Sequence, residues 1–115
     1  MNKDTKFLNT VSIKSINRQL EVLYEDLEYA KKYASKIDEC ASNPTQEKFD
    51  ELYYHYERPN HADYLEESLD LFKNDFMFYV NKWQKQAESS QYYTQQSIDI
   101  ATYILELLKA DQEKL

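Results

Sequence analysis

An all-α fold, a three- or four-helix antiparallel bundle with a long heptad-patterned N-terminal helix, is the class this sequence predicts, and three observations predict it. The first is a stripe of small and aliphatic residues, Ile13, Ile16, Leu20, Leu23, Leu27, Ala30, Ala34 and Ile37, spaced three and four apart throughout. That rhythm puts all eight on one face of a helix. The second is the absence of glycine from 115 residues. A sheet protein of this length needs several turns with positive φ, and glycine usually supplies them, whereas long helices joined by few loops need almost none. The third is the aromatic content: eleven tyrosines and five phenylalanines are far too many for a disordered acidic tail. The length suits a single helical domain over 1–115.

The first helix is expected over about 10–41. Thr10 is a plausible cap, with Asn9 as a competing choice, and the stripe then runs to Ile37 and on toward Ala41. Alanine at 30 and 34 narrows it there and admits a close neighbour. Lys14, Arg18, Glu21, Glu25, Glu28, Lys32 and Lys36 hold the opposite side, where pairs such as Glu28 with Lys32 add a few tenths of a kcal/mol each. Ala41-Ser-Asn-Pro44 marks a boundary. Asn43 can cap and Pro44 fits a first helical position, which places the second helix over 44–57 with Phe49, Leu52, Tyr53 and Tyr56 inward. Pro59 restrains Arg58 away from helical angles. Asn60 then caps a third helix over 60–88, whose stripe reads Ala62, Leu65, Leu69, Phe72, Phe76, Tyr79 and Trp83. Run antiparallel to the first helix, its large rings could fill the space beside Ala30 and Ala34. Past Trp83 the pattern thins, and it resumes at Ile98, Ala101, Leu105 and Leu108, with Ile104 beside it. A bend near Ser89-Ser90 followed by a fourth helix over 90–112 is favoured over one continuous rod.

Charge is unevenly spread. Residues 1–43 hold seven basic and seven acidic side chains; residues 44–80 hold three and nine, a net of −6; residues 81–115 hold four and five, a net of −1. The acidic middle argues against direct binding of nucleic acid or an anionic membrane and suits a basic protein surface. A single cysteine, Cys40, excludes an intramolecular disulfide and a cysteine metal cluster. No apolar run approaches the length of a membrane span, and the N-terminus lacks the apolar core of a signal peptide, so a cytoplasmic location is expected. Abundant lysine, asparagine, tyrosine and isoleucine point to an AT-rich coding source, bacterial or from a mobile element.

Signals for chemistry are thin. Glu51 and His55 share a helical face, but Pro59 destroys that geometry for Glu57 and His61. Neither the Glu-x-x-His pattern of di-iron bundles nor a His-Glu-x-x-His stretch is present. Arg58 and His61 are too close, and too surrounded by carboxylates, for RNA cleavage. Cys40 lies beside Asp38 and Glu39, which oppose thiolate formation, and a phosphate loop requires glycines. No enzyme activity, metal or cofactor is expected.

Binding is the expectation that is left. Tyr54, Glu57, Tyr64, Glu66, Glu67 and Asp70 combine broad tyrosine contacts with carboxylates that would steer a basic partner. Tyr54 stands about 100° round the helix from its inward neighbour Tyr53 and should be exposed. Tyr92 and Tyr93 cannot both enter one narrow core, so at least one is a further contact candidate. Tyr24, Tyr29 and Tyr33 flank the first stripe. The sequence therefore predicts a small acidic protein-binding module, an inhibitor or regulator that occupies a basic or nucleic-acid-handling protein. The alternative is an assembly protein that homodimerises, or pairs with another helical protein, through the seam from Ile13 to Ile37.

Overall fold

The computed structural model describes residues 3–114, which form four α-helices: α1 (Lys3–Ser42), α2 (Gln46–Glu57), α3 (Tyr64–Asn74) and α4 (Phe76–Glu113). Among the described residues there is no strand, and the all-α bundle class holds.

Helix ends depart from the sequence reading at four points. Thr10 does not cap α1; its Oγ1 donates to the carbonyl of Lys6 at 3.0 Å, a bond made inside a helix. Nothing in 3–9 breaks a helix, and Asp4 in the first turn complements the helix dipole. Asn43 serves the end of α1, its amide donating to Glu39 at 2.9 Å. Thr45 caps α2 instead, in extended backbone, with Oγ1 accepting from the Lys48 amide at 3.2 Å. After α2, Arg58 takes left-handed angles (φ 46°, ψ 54°) and returns its amide to the Tyr54 carbonyl. Glycine usually fills such a cap; this chain has none.

The expected third helix over 60–88 and fourth over 90–112 are divided differently. Residues 60–63 form a turn, and α3 starts at Tyr64 with Asp63 at its cap position. The break falls at Asp75, whose amide closes α3 onto Leu71 at 2.8 Å and whose carbonyl accepts from Tyr79 in α4 at 3.2 Å. Asn74 and Asp75 favour turns over helix interiors. Ser89-Ser90 stays within α4, because exposed serines among glutamine, glutamate and alanine cost a helix little.

The chain resolves into two compact units: Ala30–Ser90, and Met1–Tyr29 with Gln91–Leu115. In Ala30–Ser90, the aromatic unit, Ile37 and Cys40 of α1 join Phe49, Leu52 and Tyr53 of α2 and Val80, Trp83 and Ala87 of α4 in one buried cluster. Phe49 stands at its centre, with the rings of Phe72, Phe76, Tyr79 and Trp83 5.1–6.5 Å away. Trp83 is fully buried, and Ala34 packs against the same cluster. The indole Nε1 has no hydrogen-bond partner; the rings of Phe49, Tyr56 and Tyr79 enclose it without an acceptor.

In the two-helix unit, Leu20 and Leu27 of α1 meet Ile98, Ala101 and Leu105 of α4, with Ile13, Ile16 and Leu23 half-buried beside them. Gln112 Nε2 donates to Thr10 Oγ1 at 2.9 Å, and the segments run antiparallel.

Candidate functional site

The α2–α3 pair positions most of the candidate binding residues. A polar tie joins the helices inside the aromatic unit: fully buried Ser68 donates its hydroxyl to Asp50, which also accepts from Gln46 Nε2 at 2.7 Å. A second tie runs from Tyr53, whose buried phenol donates to the Glu67 carboxylate; burial, then that bond and the nearby negative charge, push its pKa up. These ties present Ser68, Tyr64 and Leu71 inward and turn the other side of α3 to solvent.

Tyr54 is 58 % exposed, and its ring lies 5.6 Å from that of half-buried Tyr64. Glu66, Glu67 and Asp70 are exposed, but the candidate carboxylates are not equivalent. Glu57 is committed to Lys82 Nζ at 2.6 Å, and Glu67 to His61 Nε2 at 2.8 Å. Lys36 occupies Glu51. Among the described residues no ion pair reaches Asp63, Glu66 or Asp70. The free negative charge of this region thus concentrates on α3 and its first turn. Dipole considerations favour Asp63 and Glu66 at that N-terminus, so they are stable there without a cation.

The same face carries two residues that the periodic reading placed inside. Leu65 and Leu69 are 54 % and 42 % exposed. The stripe from Ala62 to Trp83 assumed one straight helix; the break at Asp75 rotates α3 onto Tyr64, Ser68, Leu71 and Phe72 instead. That second three-four series was legible, and the Asn74-Asp75 pair was the signal for choosing it. α3 therefore shows solvent two leucines four apart, with Glu66 and Asp70 directly after each.

The remaining candidates lie elsewhere. Tyr92 and Tyr93 belong to the two-helix unit and are 59 % and 64 % exposed, their rings edge to face at 5.3 Å. Tyr24 and Tyr29 are exposed, while Tyr33 is half-buried with its ring stacked 3.6 Å from that of His55. The N-terminal seam is partly covered within the chain: Leu20, Leu27 and Ile37 are buried and Ile13, Ile16, Leu23, Ala30 and Ala34 half-buried.

His55 and His61 do not converge. Burial beside Tyr33, reinforced by the charges of Arg58 and Lys36, lowers the His55 pKa despite Glu51, and His61 faces Glu67. Burial raises the Cys40 thiol pKa, Lys48 opposing and Glu39 adding to it. Among the described residues no three His, Cys, Asp or Glu side chains gather as metal ligands, and no helix is long and apolar enough to cross a membrane. No protein-family model, curated protein or solved structure matches this chain.

Proposed function

We propose that this protein is a small acidic protein-binding module, an inhibitor or regulator that acts by covering a basic surface of another protein without chemistry of its own. The observation that carries this reading is the outer side of α3. Exposed Leu65 and Leu69 alternate with the unpaired carboxylates of Glu66 and Asp70, and the Tyr54–Tyr64 ring pair lies beside them. Leucine and tyrosine supply contact area, and carboxylates without internal cations supply steering and select a cationic partner. A basic amphipathic helix or a lysine- and arginine-rimmed apolar patch is the complementary surface. Glu57 contributes less, since Lys82 already neutralises it, and Glu67 is engaged with His61.

The test is affinity capture from the source cell, with wild-type protein beside a Tyr54→Ala, Glu66→Lys, Asp70→Lys variant. A partner held by the wild type, released by moderate salt and lost by the variant is the expected result. A partner retained equally by both proteins would remove this face from the account.

A further inference from the structure

The two-helix unit has a covered interior and one uncovered side. Between its helices runs a groove of 620 Å³, lined by Val22 and Leu23 of α1 and Ile100 and Ile104 of α4, with Arg18 as its single charged lining residue. Val22, Ile100 and Ile104 remain 52 %, 61 % and 39 % exposed. The apolar strip continues beyond the groove. Val11 precedes Val22 by eleven residues and Leu107 follows Ile100 by seven, so helical rotation brings both to the groove side. Leu8 bears the same relation to Ser15 in the groove wall. Leu8, Val11 and Leu107 are 62 %, 47 % and 50 % exposed. The other side of these helices carries Lys14, Glu21, Asp99 and Glu106, all exposed. One flank is therefore an ordinary solvated face, and the other joins these aliphatic side chains to Ser15, Arg18, Gln19 and Ser97 of the groove wall.

We propose that this strip docks against the same strip of a second copy, so that two two-helix units form a four-helix bundle about a two-fold axis. Area decides for a second copy. The six aliphatic side chains, with exposed Tyr93 one further heptad along α4, offer on the order of 500 Å² of apolar surface. One half of a standard interface covers about 800 Å², of which homodimers make about 65 % apolar, or about 520 Å². A face two helices wide is closed along its whole length by two further helices of matching length, and another copy brings both. No carboxylate lines the groove itself, and Arg18 is its one charged lining residue. This interface is separate from the acidic side of α3; it shares Ile16 and Leu23 with the Ile13–Ile37 seam, whose buried Leu20 and Leu27 stay against α4 in each copy.

Sedimentation equilibrium of the full chain from about 1 to 100 µM tests the proposal, a range that spans ordinary homodimer affinities. The expected mass rises with concentration from 13.9 kDa toward twice that value. Ile100→Lys with Leu107→Lys stays at the single-chain mass across the range, and a separate Val22→Lys variant does the same. Both keep wild-type helical circular dichroism, because the replaced side chains already face solvent. Glu66→Lys with Asp70→Lys dimerises as the wild type does, which separates this interface from the acidic face. A wild-type mass of 13.9 kDa at every concentration overturns the proposal. So does a folded Ile100→Lys, Leu107→Lys variant that dimerises like the parent.

Discussion

The aromatic unit and the two-helix unit draw on the same two long helices, yet their interiors differ in depth. Ile37, Cys40, Phe49, Val80 and Trp83 are wholly buried in the first, whereas Leu20, Leu27 and Leu105 in the second keep 7–9 % exposure. The difference follows from the number of neighbours. Segments of all four helices surround Phe49 and Trp83, but only one helix faces Leu20. An amphipathic stripe of the same quality thus gives a closed core or a shallow one according to what packs on it. The contrast also explains where large apolar side chains remain outside: a helix with one neighbour has a flank to spare.

The largest effects should fall in the closed core. Trp83→Ala is expected to cost about 3–5 kcal/mol by denaturant unfolding, with loss of Cys40 protection against thiol reagents. Trp83→Phe should cost far less, since it removes the unpaired indole donor together with some packing, two effects of opposite sign at about 1–3 kcal/mol. Equal losses from both variants would show that volume is not what closes this core.

Leu20→Ala in the two-helix unit is expected to cost about 2–3 kcal/mol, the lower part of the range for such truncations, because an open site can relax around the gap. A cost equal to that of Trp83→Ala would erase the contrast between the units. In the other direction, Arg58→Gly should stabilise the aromatic unit by about 0.5–1 kcal/mol, since only glycine adopts φ 46° without steric penalty. Unchanged stability would mean that Arg58 makes good its strain through its own contacts.

The smallest effects come from titration, and both lie in the aromatic unit. His55 has a folded pKa below its ordinary 6.5. The unfolded chain therefore binds the proton more readily, and stability falls as pH drops below 6.5 toward the folded value. Tyr53 is shifted upward from 10.0, so its contribution is complete below pH 10 and is lost as pH rises above that. Denaturation midpoints from pH 5 to 11 should show both limbs, with His55→Gln flattening the acid one and Tyr53→Phe the alkaline one. Limbs that survive those substitutions would assign them to other groups.

Much of this was legible in the sequence. The stripe from Ile13 to Ile37 is buried within the chain at Leu20, Leu27 and Ile37 and half-buried elsewhere, and the absence of glycine agrees with four helices and three short connections among the described residues. Tyr54 is exposed, as its position round α2 requires. What misled was the continuous stripe from Ala62 to Trp83. A straight helix makes Leu65 and Leu69 core residues, but the series Tyr64, Ser68, Leu71, Phe72 fits the same spacing, and hydrophobicity alone favours leucine over serine. The buried Ser68–Asp50 bond reverses that preference, and it depends on a residue eighteen positions away, which local periodicity cannot supply. Ser89-Ser90 misled for the opposite reason: serine permits a bend without requiring one. The contacts of Glu57 and Glu67 depend likewise on Lys82 and the turn at His61.

Native-state hydrogen exchange, resolved by residue, tests the contrast between the units most directly. In dilute solution the slowest amides should belong to Phe49–Tyr53 and Val80–Ala87, while those of Leu20–Leu27 and Ile98–Leu105 exchange substantially faster. Slowest exchange in the two-helix unit, or equal protection in both, would contradict the claim that the number of packed neighbours sets the depth of each core.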